Sequence, residues 1–227
     1  MMIITIDGPA GSGKSTVARK LAARLNVPYL DTGAMYRAIA FSTLENNVDP
    51  TDQDALVAHA REIDLDVDCG PTHTRVSVNG RDVSELIRTM EVSGITSRVA
   101  SCPAIRVLLV AYQQRLGSKL ESLVTEGRDQ GSVVFPGADA KFVLDASIDT
   151  RANRRFDELK ADGQDVTLNA VKENLRMRDE VDAKQWEPLL SDGSAIIIDT
   201  TDMTITNVIE KMLTLLPNSQ PIREPTA

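Results

Sequence analysis

The chain has 227 residues, 42% of them hydrophobic and 26% charged, a balance that excludes a disordered or collagen-like polymer and leaves room for one core with inserted parts. Its formal net charge of -8, with a sequence pI near 4.9, opposes general binding to nucleic acid polymers, which rests on neutralising many phosphates, whereas a small anion needs only a local basic pocket. Cys69 and Cys102, with His59 and His73, are too few for a disulfide framework or a Cys/His zinc site, and neither a signal-peptide pattern nor a run of ~20 apolar residues occurs, so free thiols and a cytoplasmic location without a membrane span are expected.

Ile3, Ile4 and Ile6 make a short β-branched run that ends at Asp7 and gives way to glycines, the pattern of a buried central strand. From Ser15, the residues Val17, Ala18, Leu21, Ala22 and Leu25 recur at helical spacing until Asn26 and Pro28 end the pattern. Tyr29-Leu30-Asp31 reads as a second strand, leading into a helix that carries Met35, Tyr36, Ile39 and Ala40. Between residues 64 and 88 the period changes. Leu65 and Val67 alternate with acids, and Val76 and Val78 alternate up to Asn79-Gly80, which predicts a small antiparallel insert with a tight hairpin.

Helical pattern returns over residues 90–101, breaks at Pro103 and continues through Ile105, Leu108, Leu109 and Tyr112 toward Gly117. Apolar runs at residues 123–125, 142–144 and 195–198 each close on an acidic residue or a glycine turn. With the first two runs they make five strands separated by helices, hence a parallel sheet covered on both faces, with ligands at the strand C-terminal ends. Over residues 149–180 two helical stretches flank Asp162-Gly163-Gln164-Asp165 and carry Arg151, Arg154, Arg155, Arg176 and Arg178, the composition of a mobile lid. A last helix is expected over residues 204–216, followed by a frayed tail, 217–227, with three prolines.

Gly8-Pro9-Ala10-Gly11-Ser12-Gly13-Lys14-Ser15, followed by Thr16, satisfies G-x-x-x-x-G-K-[ST] between a strand and a helix, the context in which this motif cradles phosphates. The glycines let backbone N–H groups converge on an anion, and the helix N-terminus adds its partial positive charge. Lys14 then reaches the β/γ oxygens of a nucleoside triphosphate and Ser15 ligates Mg²⁺, so ATP with Mg²⁺ is the expected co-substrate. The bland alternative is a glycine-rich turn that binds nothing. The Asn-Lys-x-Asp loop by which GTPases read guanine does not occur, and motor ATPases need a longer chain, which leaves a small kinase. Such an enzyme needs a second anion site and arginines to neutralise the transferring phosphoryl group.

Asp31-Thr32-Gly33-Ala34-Met35-Tyr36-Arg37 puts a hydroxyl at a second strand-to-helix junction and a guanidinium one to two turns beyond, where both can hold an acceptor phosphate. The alternative is that Thr32 caps the helix and Arg37 is a solvated charge. Glu126-Gly127-Arg128-Asp129-Gln130-Gly131 packs a cation, an anion and two glycines after the third core strand. It is either a ligand-binding turn or a turn with a local ion pair.

These segments resemble the bacterial cytidylate kinases. Asp31 to Arg37, Gly127-Arg128-Asp129 running through Val133-Val134-Phe135-Pro136, and Arg178-Asp179 followed by Asp182 keep that family's order and spacing over nearly the whole chain. The resemblance implies an α/β, P-loop three-layer fold with a five-stranded parallel sheet: a core of residues 1–62, 102–148 and 189–227, an inserted nucleoside-monophosphate-binding subdomain at 63–101 and a helical lid at 149–188. It also implies transfer of the ATP γ-phosphate to CMP or dCMP, giving CDP or dCDP and ADP. No long heptad appears, so a monomer is expected, with no nucleic acid polymer or membrane as partner. The rivals are a P-loop kinase for UMP, AMP or shikimate, and a non-catalytic nucleotide-binding regulator.

By the same resemblance Thr32, where the family often has Ser, holds the CMP phosphate with Arg37 and Arg128, while Ser97, Arg106 and Asp129 read cytosine and Asp182 contacts the ribose. Lys14, Arg128 and Arg178 act on the transferring phosphoryl group, and Arg154 lies near the adenine of ATP. An ionised Asp129 accepts from the exocyclic amine of cytosine, whereas uracil presents the acceptor O4 to the same carboxylate. A reader of that kind discriminates by roughly 10⁴ when water is excluded. One departure stands out: relatives continue with Ser-x-Arg before Ala-Pro-Leu, but this chain reads Asp182-Ala183-Lys184-Gln185-Trp186-Glu187-Pro188-Leu189, one residue short. Gln185 falls where arginine is expected, and Lys184 is the candidate replacement for its charge.

Overall fold

The computed structural model describes residues 2–161 and 163–217, the side chains of 181–184 and 186 excepted. The expected frayed tail beyond Pro217 and Asp162 of the hairpin turn lie outside the described residues. In chain order the elements begin β1 (Met2–Asp7), α1 (Lys14–Leu25), β2 (Tyr29–Asp31), α2 (Thr32–Glu45), α3 (Gln53–Glu62), β3 (Leu65–Cys69), β4 (Thr74–Val78) and β5 (Arg81–Asp82). They continue with α4 (Met90–Ser101), α5 (Pro103–Leu120), β6 (Ser122–Glu126), a π-helical turn (Gln130–Val134), β7 (Ala140–Asp145), α6 (Ile148–Ala161), α7 (Leu168–Ser191), β8 (Ile196–Asp199) and α8 (Ile205–Leu215).

The five expected core strands form one parallel sheet in the order β2-β6-β1-β7-β8. Ile4, Ile6, Leu123, Val124, Phe142 and Leu144 are fully buried, as runs covered on both faces must be. All five strands end on a carboxylate: Asp7, Asp31, Glu126, Asp145 and Asp199. Among the described residues no single helix is long and apolar enough to cross a membrane. Cys69 and Cys102 are free thiols, and burial pushes Cys69 up to about 12.

By its contacts the chain divides into two compact units. The first, Ala22–Thr125, contains the second sheet, antiparallel in the order β3-β4-β5. Val67 pairs with Val76 and Leu65 with Val78, so Val67, Val76 and Val78 turn to one buried face while the alternating acids point outward. Asn79 and Gly80 both take positive φ, 51° and 77°, the backbone of a primed turn, which suits the tight hairpin anticipated there. Thr74 Oγ1 donates to the Tyr29 carbonyl at 2.8 Å and accepts from the Asp31 N–H at 2.9 Å, stitching β4 to β2. Helix α3, which the periodicity did not reveal, buries only Leu56 and starts where Asp52 accepts from the Ala55 N–H at 3.0 Å.

The second unit is Met2–Leu21 with the chain from Glu126 onward. Here β1 and β7 register Ile4 against Ala140 and Ile6 against Phe142, and β7 registers Phe142 against Ile196. The arginine-rich hairpin is present as α6 and α7, but α7 runs through Pro188 to Ser191 instead of ending near residue 180. Packing explains the extension: Leu189 is buried against Val143, so apolar contact offsets the proline's missing hydrogen bond. Nearer the other end, Ala152, Val171 and Leu175 enclose Ala10 of the glycine-rich loop.

Candidate active site

The loop between β1 and α1 is shaped by glycines whose backbones no other residue can copy. Gly8 has φ +134°, and a Cβ there would stand 2.1 Å from the Leu144 carbonyl oxygen. Gly11, at φ +78°, would bring a Cβ to 2.9 Å from the Arg151 carbonyl oxygen. The Lys14 side chain is buried and its Nζ donates to the Pro9 carbonyl at 2.7 Å, so the ammonium curls over the loop it belongs to. Ser15 stands at the open end of α1, and its Oγ donates to the buried Glu126 carboxylate at 2.8 Å. Thr16 follows, half-buried; the Ser12 hydroxyl is buried without a hydrogen-bond partner.

Two carboxylates here were not among the expected site residues. Glu126 ends β6 beside Ser15. Asp7 ends β1, is fully buried, and accepts from the N–H groups of Gln130 and Gly131, each at 2.8 Å. Burial pushes its carboxyl up to about 6 against those two hydrogen bonds, with the Asp129 charge adding to the rise and Lys14 opposing it. A signal existed in the sequence: every core strand closes on an acid, and Asp7 immediately precedes the loop. Arg128 is half-buried and its Nη1 donates to the Gly127 carbonyl at 3.2 Å, while Asp129 is 5% exposed and accepts from Gln130 Nε2 at 3.3 Å.

The arginines of α6 and α7 divide by role. Arg151 is a buried brace: its Nη atoms grip Asp179 at 2.9 and 2.6 Å, Nη1 also reaches the Ala10 carbonyl at 3.2 Å, and Nε reaches the Ala146 carbonyl at 3.0 Å. Arg154 is half-buried and donates to the Thr200 carbonyl at 2.7 Å and its hydroxyl at 3.1 Å; Thr200 Oγ1 in turn reaches the Ser12 carbonyl at 3.4 Å. Arg178 is exposed on α7, one residue before the gripped Asp179. Arg155 makes a surface pair with Glu158. The side chains of Asp182 and Lys184 lie outside the described residues; the Gln185 carbonyl accepts from Ser132 Oγ at 2.8 Å.

In the first unit Thr32 is not the helix cap. Asp31 caps α2 by accepting from the Ala34 N–H at 3.1 Å, and Thr32 is the first helical residue, buried. Arg37 is not a solvated charge either: its Nη1 donates to Ser93 Oγ at 2.7 Å and to the Ile87 carbonyl at 3.4 Å. Ser97, exposed, lies one turn beyond Ser93 on the same face of α4. Arg106 is half-buried near the start of α5.

Comparison with known proteins places this arrangement in a family. The cytidylate kinase family model matches residues 4–218. A cytidylate kinase of Caldanaerobacter subterraneus subsp. tengcongensis is 44% identical over 92% of this chain and 92% of its own length. One from Corynebacterium glutamicum is 42% identical over 96% of this chain and 95% of its own. Among solved structures, a shikimate kinase from Bacteroides thetaiotaomicron shares the fold, with a TM-score of 0.52 over 94% of this chain and 97% of that one at 13% identity. A match that takes in the phosphate loop, the Asp31–Arg37 junction and the Arg128-Asp129 turn in one alignment shows that the chain belongs to the cytidylate kinase family.

Proposed function

We propose that the chain transfers the γ-phosphoryl group of ATP to CMP or dCMP, giving ADP and CDP or dCDP. The observation that carries the choice of base is Asp129, a carboxylate 5% exposed and adjacent to Arg128 at the end of a core strand. A cytosine amine satisfies such an acceptor; the O4 of uracil does not.

Mg²⁺ fits the donor set. Ser15 and Glu126 offer hard oxygens 2.8 Å apart, and among the described residues no group of three or more His, Cys, Asp or Glu is arranged to cage a metal. That suits an ion that takes one or two protein oxygens and completes its shell with phosphates and water. Bound there, it supplies charge neutralisation on the triphosphate.

In this reading Gly8 to Thr16 hold the triphosphate, Lys14 turns from the Pro9 carbonyl to the β/γ oxygens, and Arg154 supports the adenine side. Thr32, Arg37 and Arg128 hold the acceptor phosphate; Ser97, Arg106 and Asp129 read the base; Asp182 contacts the ribose. Arg178, with Lys184 in place of the missing arginine, screens the transferring phosphoryl group. The acceptor phosphate is already a nucleophilic anion, so alignment and charge screening suffice and no side chain acts as a strong base. Residues 63–101 serve as the acceptor-binding insert and 149–188 as the lid, whose closure excludes water.

An acceptor panel tests this: ATP and Mg²⁺ with CMP, dCMP, UMP, AMP or shikimate, read by coupled ADP release. CMP and dCMP should exceed the others in kcat/KM by about 100-fold or more. Equal use of UMP or AMP would overturn the choice of base, and ATP binding without transfer to any acceptor would favour a regulator.

A further inference from the structure

The π-helical turn Gln130–Val134 presents an anomaly at its start. The first N–H groups of any helical turn lack partners within it, and an Asp at the preceding position ordinarily supplies them. Asp129 occupies that position and makes no capping bond. The bonds come from a distant residue instead: Asp7 Oδ1 accepts from the Gln130 N–H and Oδ2 from the Gly131 N–H, both at 2.8 Å. The turn is drawn in so closely that a Cβ on Gly131 would sit 2.8 Å from Thr5 Oγ1 and 3.3 Å from Asp7 Oδ2. Behind this anchor the turn closes with π-type bonds, Val134 N–H to the Asp129 carbonyl at 3.1 Å and Phe135 N–H to the Gln130 carbonyl at 2.7 Å.

We propose that Asp7 is a positioning residue for the acceptor: by capping the turn in place of Asp129, it fixes the orientation of Arg128 and Asp129 and so sets the discrimination of cytosine from uracil. The proposal rests on the reading of Arg128 and Asp129 as acceptor contacts. Its physical core is competition for two N–H donors. While Asp7 accepts both, the Asp129 carboxylate does not cap the backbone of the turn and meets it only through the Gln130 side-chain amide at 3.3 Å. An Asn at position 7 has one acceptor oxygen, and its amide nitrogen would confront a donor, so one N–H would be released to recruit Asp129 as an ordinary cap. Asp7 also lies near Lys14, so a direct effect on the ATP side is the competing account.

Steady-state kinetics on Asp7→Asn and Gly131→Ala separate the two accounts. Asp7→Asn removes the charge and keeps the shape, whereas Gly131→Ala pushes the turn off its anchor and keeps the charge. Both should raise KM for CMP and lower the CMP/UMP ratio of kcat/KM, each by about 10-fold or more, with KM for ATP within about twofold of wild type. If Asp7→Asn instead changes KM for ATP or kcat and leaves KM for CMP and the ratio unmoved, Asp7 acts on Lys14 and the proposal is wrong. Arg128→Lys and Asp129→Asn serve as controls on the underlying reading. Should neither move KM for CMP or the ratio, the acceptor assignment itself fails. Should they move both while Asp7→Asn and Gly131→Ala do not, only the positioning role falls. If circular dichroism shows Asp7→Asn unfolded, the same two readouts on Gly131→Ala decide.

Discussion

The phosphate loop at Gly8–Ser15 and the turn at Gln130–Val134 both lie at strand ends in the same unit, yet they are made rigid in opposite ways. The loop is fixed by its own backbone, through Gly8, Gly11 and Gly13 at φ +134°, +78° and +89°, the first two of which also leave room for the Leu144 and Arg151 carbonyl groups. The turn is fixed by a partner 123 residues away in sequence, the Asp7 carboxylate that caps it. A structure written into local backbone conformation leaves a motif in the sequence. One that depends on a tertiary hydrogen bond leaves only an acid and a glycine, neither conspicuous alone.

The contrast is sharpest at Lys14. Because the loop depends on backbone, Lys14→Ala should leave the fold intact and lower kcat by about 10³-fold or more, through loss of the charge on the β/γ oxygens. Retention of more than about a tenth of activity would break the account of the loop. Arg151 tests whether the loop is truly self-sufficient. Its guanidinium joins Asp179 to the Ala10 carbonyl, so Arg151→Ala should cost about 3–4 kcal/mol in urea unfolding, by stranding a partly buried carboxylate and a loop carbonyl. A loss under about 1 kcal/mol would mean that Arg151 contributes no more than a surface charge does.

The turn has a pH signature. Asp7 is raised to about 6 from 3.8, so between those values the folded chain keeps a proton that the unfolded chain has released. Its contribution to stability is therefore greatest below pH 4 and diminishes as pH rises through 6, by about 3 kcal/mol in all. Unfolding free energies measured from pH 4 to 7 should show that decline in wild type and lose it in Asp7→Asn. Identical slopes in the two proteins would mean that Asp7 titrates normally. The smallest expected effect lies away from both regions. Glu121 ends α5 at φ 63°, a conformation costly for any side chain, and Glu121→Gly should raise stability by about 0.5–1 kcal/mol. A lowered melting temperature would show that the Glu121 side chain makes a contact worth more than the strain.

Legibility followed the same division. The strands, the phosphate loop and the Asn79-Gly80 hairpin were readable because each rests on residues close in sequence. The end of α7 was not, since Leu189 keeps the helix going past Pro188 by packing on Val143, and α3 was not, since it buries only Leu56. At the site, Lys14 and Ser15 came from spacing alone, whereas Ser97, Arg106 and Asp182 came only through family resemblance, being scattered along the chain. The Arg37–Ser93 bond, the Arg151 brace and the Asp7 cap join residues at least 28 positions apart, beyond the reach of local pattern.

In the proposed division of labour Asp129, at the head of the turn, chooses the base while the loop delivers the phosphoryl group. The ratio of kcat/KM for CMP to that for UMP in Asp129→Asn tests it most directly, because the amide keeps the size of the side chain and can donate to O4. The ratio should fall by about 100-fold or more, with KM for ATP unchanged within about twofold. An unchanged ratio, with reduced stability as the only effect, would contradict it.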